Sequence, residues 1–578
     1  MPLPSVVLTS LKEAREKIEE DILRCGVVLA HKKRTLNTLV LIAQLPPEVL
    51  GEIFIQYRRL YAVKGDDKFH LPYAWIKITH VCYHFRMVAL NTPRLWSTVC
   101  VTRPACVQEM ITRSKQARLT IDTAFWSCNI HSLSLAFSQL YRAHTVEFIA
   151  RKPDVDSITH ISTPSAPLLR FLLVKNPHTY TPFALPDFPE VFQNVKSPNL
   201  VALHVSAYRL RWTESVLCHS LRRLCVTTGG VTVRPNYRMK SLDDMLHTLE
   251  NMPTLQDLEI AGILPLLATD TMSTHTIPPT IKMPMLEALK LADNTSACAH
   301  FLEHVVLPST TSITLVCSVA DDVRLCFLTS ALSSKLRGLN RNGSQKSLFS
   351  FCIQRAEPEA SLLIRGFTSV LTLPELTAFP VGSAPRITLL LPQSAHDDLP
   401  SLCSGLPLSD LQVLYVGGGP DGSPFAHVGT WSLSFGNLSM LRSLGVSGLA
   451  ADNLSVLLAS NEHGLSSPPS SEPYNISTQF LFPKLRELIL KAVDFRYAEG
   501  RKYSHYTYGL RGALGARKKV GIAVEVLDMQ ECLNMDENDV SYFDDVVKEV
   551  RWDASVEYSV TSSDSSSTDF SDDEDEDD

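Results

Sequence analysis

The first hydrophobic pattern in the chain runs from Leu11 to Ala43. Apolar residues recur there at the three- and four-residue spacing of one helix face, with lysine, arginine and glutamate between them. The pattern predicts an amphipathic helix within residues 1–43. A coiled-coil seam would include Asp21, Lys32 and Thr35, which interrupt it, so we expect this helix to pack on its own chain.

Three short apolar elements follow in residues 44–100. The first lies in Leu45 to Phe54, where a proline near the first helical position is favourable because its fixed φ suits that position. A second pattern begins at Trp75 and stops before Pro93, and a third, shorter one follows it. Elements this short cannot each bury an apolar face alone. We therefore predict a small helical module with an exposed apolar stripe, which is typical of a surface that binds a partner helix.

The long remainder, residues 101–552, repeats a six-residue pattern with apolar side chains at its first, fourth and sixth positions. Strong copies begin at Leu169, Leu200, Leu221, Leu255, Leu286, Leu411, Leu441 and Leu485, and weaker copies begin at Leu348 and Val524. Because residues two apart on a strand share a face, the last two apolar side chains of each copy are expected to point inward. Helical stretches separate the copies, so the fold class is predicted to be α/β.

This alternation of strand and helix resembles a leucine-rich-repeat solenoid of irregular repeat length, with a parallel sheet and helices outside it. A compact α/β domain of unrelated strand–helix units is the alternative. Two segments, Thr269 to Lys282 and Ser460 to Phe480, interrupt the array and are interpreted as projecting loops.

Length and charge limit the other possibilities. A chain of 578 residues is too long for one hydrophobic core, since cores stop growing near about 250–300 residues. The net charge of -7 arises at the carboxyl end, where Thr561 to Asp578 contain nine acidic residues and no basic one. Residues 553–578 are therefore predicted to be a disordered acidic tail. The body carries no basic stripe with interleaved aromatic residues, so we expect no nucleic-acid partner.

Membrane, secreted and metal-binding classes are also unexpected. The sequence has no apolar run of the roughly 18 residues that a membrane helix needs, and its first turns are charged, unlike a signal peptide. Its 13 cysteines include no CxxC pair. We expect a chain without cofactors that is located in the cytoplasm and/or the nucleus.

Two ordered motifs in the helical module resemble the F-box. LPPEVLGEIF at Leu45 to Phe54 and VCYHFRMVALNTPRLW at Val81 to Trp96 are similar to the F-boxes of the large families in mushroom-forming fungi, where a helix precedes the box. Phe85 stands where that family usually has tryptophan, and the loop Tyr61 to Leu71 is longer than usual. An F-box docks a Skp-type adaptor, which links it to a cullin scaffold and a RING protein.

The resemblance implies a substrate receptor of an SCF-type ubiquitin ligase, whose repeat region binds an unidentified target protein. The residues it implies for adaptor binding are Leu45, Pro46, Pro47, Leu50, Ile53, Phe54, Val81, Cys82, Phe85, Leu95 and Trp96. For any one of them, a place in the module's own core is equally expected. An F-box scaffold that binds the adaptor without delivering targets is the alternative, and neither interpretation assigns an enzymatic activity to the chain.

One motif favours an enzyme instead. His300, Glu303 and His304 match HxxEH, the spacing with which inverted zinc peptidases place two imidazoles and a general base on one helix face. Cys298 and Phe301 would form the buried stripe of that helix, so the three motif side chains are expected to face water. A catalytic zinc site needs a third ligand and a shaped cavity, so a zinc hydrolase is the least favoured alternative.

Overall fold

The chain divides into two compact units, Met1–Arg223 and Leu224–Asp578. The computed structural model describes residues 5–63, 72–124, 129–149, 165–177, 185–193, 195–230, 238–239, 241–265, 280–318, 325–336, 347–356, 361–377, 384–392, 398–418, 425, 427–459, 480–495 and 505–554. The predicted acidic tail from residue 555 onward and most of the two predicted projecting loops lie outside the described residues. None of the helices in these ranges is long and apolar enough to cross a membrane.

The first unit combines helices with a parallel sheet. Its helices are α1 (Ser5–Thr38), α2 (Pro47–Val63), α3 (Tyr83–Leu90), α4 (Pro104–Ser114), α5 (Ile130–Phe137) and α6 (Glu190–Gln193), with 3₁₀ turns at Leu41–Gln44, Ala74–His80, Pro93–Trp96 and Leu140–Arg142. Its strands are β1 (Thr98–Cys100), β2 (Leu119–Asp122), β3 (Ala143–Ile149), β4 (Phe171–Lys175) and β5 (Ala202–Ser206). These strands pair in parallel and in chain order.

The second unit repeats strand and helix over a longer stretch. Its helices are α7 (Asp243–Glu250), α8 (Thr295–Glu303), α9 (Leu325–Leu336), α10 (Leu373–Thr377), α11 (Leu399–Gly405), α12 (Val428–Phe435), α13 (Leu454–Leu458), α14 (His505–Lys519) and α15 (Glu537–Ser541), with a 3₁₀ turn at Gly448–Ala451. Its strands are β6 (Arg223–Thr227), β7 (Asp257–Ala261), β8 (Ile281–Lys282), β9 (Ala288–Asn294), β10 (Val305–Val306), β11 (Ser312–Ser318), β12 (Ser350–Ala356), β13 (Ser361–Phe367), β14 (Ile387–Leu391), β15 (Val413–Gly417), β16 (Ser443–Ser447), β17 (Glu487–Lys491), β18 (Val526–Gln530) and β19 (Glu549–Trp552).

The large sheet of the second unit is mostly parallel. From β7 the strand order is β7-β9-β11-β14-β13-β12-β15-β16-β17-β18-β19. Strand β13 departs from the predicted topology, because it runs antiparallel to both β12 and β14. Strands β8 and β10 form a separate parallel pair. The α/β class with a large, mostly parallel sheet is therefore confirmed, and it is compatible with a repeat solenoid.

The six-residue pattern sets the register of the strands. Leu414 of β15 lies beside Leu444 of β16, which lies beside Leu488 of β17 and then Leu527 of β18. All four side chains are fully buried. The apolar residue that opens each of these copies, such as Leu441, is also buried and lies in the turn before its strand. The predicted inward face of the array is thus confirmed at these strands.

A second apolar layer covers the opposite face of the sheet in the middle of the unit. Helix α10 packs against β12, β15 and β16. The buried side chains that meet there are Cys352, Phe367, Leu371, Leu373, Leu376, Val413, Tyr415 and Ile489. Because strand neighbours point to opposite faces, Tyr415 lies on the face away from Leu414. These strands are therefore buried on both sides, a feature that the leucine pattern alone does not predict.

Helix α1 does not pack along its own chain as the sequence predicted. Every residue from Ser10 to Leu36 is exposed. Near its carboxyl end, the guanidinium carbon of Arg34 lies 4.4 Å from the centre of the Tyr83 ring. The residues that follow it, including Leu39 and Leu41, are themselves exposed and offer no cover. The expectation is therefore wrong for the described residues.

Candidate functional site

The helical module packs around a core drawn from each of its elements. Its buried apolar side chains are Leu50, Phe54, Ile55, Trp75, Ile78, Val88, Ala89, Leu95 and Trp96. Pro47 is the first residue of α2, as its fixed φ favours. Helix α3 begins after Cys82, whose Sγ accepts a hydrogen bond from the backbone N–H of Phe85 at 3.4 Å. The second predicted pattern, which begins at Trp75, is divided in the structure into a 3₁₀ turn at Ala74–His80 and the helix α3 at Tyr83–Leu90.

Trp96 lies at the centre of this core. Its Nε1 donates a hydrogen bond to the carbonyl oxygen of Ala89 at 2.7 Å. Its ring centre lies 5.2 Å from that of Trp75, and the guanidinium carbon of Arg113 lies 4.3 Å from its ring centre. With 1% of its surface exposed, Trp96 joins α3, the 3₁₀ turns and α4 rather than facing a partner.

Four residues implied for adaptor binding are core residues in the structure. Leu50, Phe54, Leu95 and Trp96 are each at most 2% exposed. Contact with another protein through these side chains would require the module to unpack. The structure thus gives these four side chains the core position that was equally expected for each of them, because three short helices need them to bury one another.

The other seven implied residues reach the surface. Pro46, Pro47, Ile53 and Val81 are exposed, and Leu45, Cys82 and Phe85 are half-buried. The ring of Phe85 lies 5.2 Å from that of Phe54, so this side chain joins the core to the surface. These seven remain a predicted adaptor surface.

Helix α2 is apolar on two sides. Leu50, Phe54 and Ile55 face the core. On the solvent side, Val49, Ile53 and Leu60 fall within about 40° of one another at 3.6 residues per turn. They are 45%, 40% and 63% exposed. We call these three residues the outer stripe. The sequence pattern contained them, but it did not separate them from the core-facing residues of the same helix.

A groove of about 510 Å³ lies between α2 and α3, away from the outer stripe. Gly51, Ile55, Met87 and Arg94 are among its lining residues. Glu52 forms an ion pair with Arg94 at 3.6 Å at its margin. Exposed apolar side chains that the sequence reasoning did not assign to a partner surface also surround the module, namely Leu39, Val40, Leu41, Ile42, Tyr61, Tyr83 and Met87.

Arg58 fixes the carboxyl half of α2 against the 3₁₀ turn that carries Leu95. Its guanidinium donates a hydrogen bond to the carbonyl oxygen of Leu95 at 2.7 Å. Burial lowers the pKa of Arg58 from its ordinary value. Nearby, the hydroxyl of Tyr73 donates to the carbonyl oxygen of Cys100, and burial raises the pKa of that tyrosine. These contacts join α2 and the residues after the 3₁₀ turns on the side of the module away from the outer stripe.

The HxxEH motif does not form the geometry of a zinc site. Its two imidazole rings have centres 4.6 Å apart, but no group of three or more His, Cys, Asp or Glu side chains within the described residues could hold a metal ion. His304 is 6% exposed, so the expectation that the whole motif faces water is wrong for this residue. The helix α8 ends at Glu303, and the chain turns inward at His304. The residues present therefore do not fit a catalytic zinc ion.

The basic, glycine-rich stretch Gly509 to Gly521 has a different structure from the one that its composition predicts. Its composition predicts a flexible loop, but it lies largely within α14. A Cβ at Gly509 would lie 3.1 Å from Oγ of Ser455 on α13, so the glycine permits close packing of these two helices. Arg517 is fully buried and donates hydrogen bonds to the carbonyl oxygens of Leu481 and Phe482 at 2.8 Å and 2.6 Å.

Comparison with known proteins gives no family assignment. No family model matches this chain, and no curated protein matches it. One solved structure that aligns with it is the crystal structure of the Rad7 and Elc1 complex in yeast. The alignment covers 78% of this chain and 94% of that chain, at 13% identity and a TM-score of 0.22. Similarity at this TM-score supports no argument about function.

Proposed function

We propose that this chain is a non-catalytic substrate receptor of an SCF-type cullin–RING ubiquitin ligase. In this role the helical module binds a Skp-type adaptor, and the sheet region binds a target protein in the cytoplasm and/or nucleus. The contribution of the chain is positioning, which raises the effective concentration of target lysines near the ubiquitin-charged enzyme. The proposal rests on the F-box motifs together with the outer stripe.

The outer stripe is the observation that carries the adaptor role. A helix at the surface of a protein normally presents polar side chains to water on the face away from the core. Helix α2 instead presents Val49, Ile53 and Leu60 there. Exposed apolar side chains that share one face of a helix are typical of interaction surfaces. A partner helix lying against α2 would cover them, which is the mode of binding that the motifs imply.

We assign the target surface to strands whose outward side chains are not covered by any helix within the described residues. On β7 and β9, Glu259 and Lys290 point away from the buried leucines and form an ion pair at 2.7 Å on the surface. The face over β12, β15 and β16 is covered by α10 instead. A polar, partly charged patch suits recognition of a protein surface, whose contacts are mostly polar at the rim.

The adaptor role is tested by Val49→Asp combined with Ile53→Asp. Both side chains are exposed, so the variant keeps its fold, and copurification of a Skp-type adaptor is expected to be lost. The matched control is Leu433→Asp combined with Val456→Asp, which changes two equally apolar residues that are 70% and 59% exposed on α12 and α13. Undiminished adaptor binding by the folded Val49/Ile53 variant contradicts the proposal.

The receptor and scaffold interpretations are separated by affinity purification with mass spectrometry under proteasome inhibition. A receptor with the Val49/Ile53 substitutions keeps its target and no longer delivers it, so the target accumulates on the variant. A scaffold captures no protein beyond the adaptor assembly. Absence of any such target from both the natural chain and the variant overturns the receptor role while leaving the adaptor role intact.

A further inference from the structure

Helix α1 is a long helix without packing along most of its length. It spans 34 residues, and every residue from Ser10 to Leu36 is exposed. Helices in proteins owe most of their stability to packing of an apolar face. Gly26 in its middle lowers its intrinsic stability further. A helix of this length and exposure therefore needs another element to pack against its apolar side chains.

Six apolar residues of α1 fall on a heptad seam. They follow one another at spacings of seven, four, three, four and seven residues and are Leu11, Ile18, Ile22, Cys25, Leu29 and Leu36. This is the a/d pattern of a coiled coil. In this phase the seam is interrupted at Arg15 and Lys32, whereas Asp21 and Thr35 flank it. Two polar residues therefore lie on the seam in this phase, compared with the three in the phase that includes Asp21, Lys32 and Thr35.

The charges of α1 are divided between its two halves. Residues 10–21 contain five acidic and three basic side chains, and residues 22–38 contain four basic and no acidic side chains. In a parallel pair, Arg15 would face Arg15 and Lys32 would face Lys32 across the seam, which is unfavourable. An antiparallel pair places the acidic half of each helix beside the basic half of the other.

We propose that α1 pairs with α1 of a second copy of this chain in an antiparallel coiled coil. The charges select one register, in which Ile22 lies opposite Lys32 of the second copy, Cys25 opposite Leu29, and Ile18 opposite Leu36. This register brings Lys33 beside Glu19 of the second copy and Lys32 beside Asp21. The two-fold axis makes each contact occur twice, so the assembly closes as a dimer.

This surface is separate from the outer stripe of α2. The dimer uses residues of α1, whereas adaptor binding uses the module that follows it. The inference therefore does not rest on the proposed function. A failure of either one leaves the other standing.

The mass of the purified full chain in solution tests the pairing. Sedimentation velocity from about 1 to about 100 µM should give a species of about 128 kDa, twice the 64.2 kDa chain. Ile22→Asp combined with Leu29→Asp should give the monomer throughout this range. The matched control is Leu23→Asp combined with Val27→Asp, which changes two exposed apolar residues outside the seam and should remain dimeric. The proposal is overturned if the natural chain stays monomeric at the highest concentration. In that case α1 would pack against a different protein.

Charge reversal tests the direction of the helices. Glu19→Lys should weaken the dimer about ten-fold, because the introduced lysine then faces Lys33 of the second copy at both ends of the pair. Lys33→Glu should weaken it similarly. The double variant Glu19→Lys/Lys33→Glu should recover the dissociation constant of the natural chain. In a parallel pair these residues lie about four turns apart, so a double variant that shows only the sum of the two losses refutes the antiparallel register.

Discussion

The indole of Trp96 is hydrogen-bonded through Nε1 to the carbonyl oxygen of Ala89, at a distance of 2.7 Å. This bond joins the end of α3 to the 3₁₀ turn Pro93–Trp96. Both residues are almost completely buried. The contact explains why the tryptophan of the second motif belongs to the core of the module rather than to its outer surface.

Substitution of this tryptophan should therefore affect stability before it affects binding. Trp96→Phe removes the indole donor, while the Ala89 carbonyl still accepts from the backbone N–H of Thr92 at 3.2 Å, so we expect a loss of about 0.5–1.5 kcal/mol in the free energy of unfolding. Urea denaturation followed by circular dichroism measures it. Trp552→Phe is the control, because Nε1 of Trp552 has no hydrogen-bond partner among the described residues. An equal effect of both substitutions would contradict the role of the Ala89 bond.

The close contact at Gly445 should be sensitive to one added carbon. A Cβ there would lie 2.7 Å from the ring of Tyr415 and 3.0 Å from a methyl group of Leu373 on α10. Gly445→Ala is expected to cost about 1–3 kcal/mol of stability by overpacking. Gly429→Ala is the control, since nothing lies within 4 Å of its added carbon and it sits in α12. Thermal unfolding should show a lower midpoint for the first variant and no decrease for the second.

Acidification should destabilise the second unit through His304. Burial lowers the pKa of His304 first, and the charges of His300 and Lys335 lower it further, against the opposing effect of Asp243. The unfolded chain therefore binds a proton more readily than the folded chain as pH falls below about 6.5. The stability that the neutral imidazole contributes is complete above that pH and is lost as the pH falls through the lowered value.

The His304→Phe variant tests this dependence. Its free energy of unfolding should fall less than that of the natural chain between about pH 7 and pH 5. Above about pH 7 the difference between the two proteins should be constant, which serves as the internal control. Parallel pH profiles over the whole range would show that the imidazole does not titrate differently on folding.

Arg517 should be essential to the packing of α14. Arg517→Leu leaves the carbonyl oxygens of Leu481 and Phe482 without the guanidinium donors that they accept from in the natural chain. The Phe482 carbonyl still accepts from the backbone N–H of Leu485 at 3.1 Å, so the main loss is at Leu481, and we expect this substitution to lower stability by about 1–3 kcal/mol. Lys519→Leu, on the exposed side of the same helix, should change the free energy of unfolding by less than about 0.5 kcal/mol.

The sequence predicted the features that depend on local periodicity. The alignment of Leu414 with Leu444 follows from a pattern whose apolar positions must share one strand face. The antiparallel direction of β13 was not predictable, because distant pairing and not the residues of the strand itself sets the direction of a strand. The helical state of the stretch around Gly509 was missed for a related reason, since close contact with Ser455 outweighs the low helix propensity of glycine.

The candidate adaptor surface was predicted only in part for a similar reason. Periodicity identifies an apolar face but does not tell which residues of that face are used by the molecule itself. Phe54 and Ile53 are adjacent in sequence and equally apolar, yet the first is buried and the second is exposed. Only the arrangement of α3 and the 3₁₀ turns against α2 separates them.

The packing of α10 on the sheet determines which strand positions can accept substitutions during evolution. Side chains such as Cys352 and Val413 are buried between the sheet and α10. Substitutions there must therefore keep a similar side-chain volume. Strand positions like Lys290 on β9 carry no such constraint. Substitutions at exposed positions of β7 and β9 can therefore change what the surface binds, while the buried side chains of β12, β15 and β16 keep the fold unchanged.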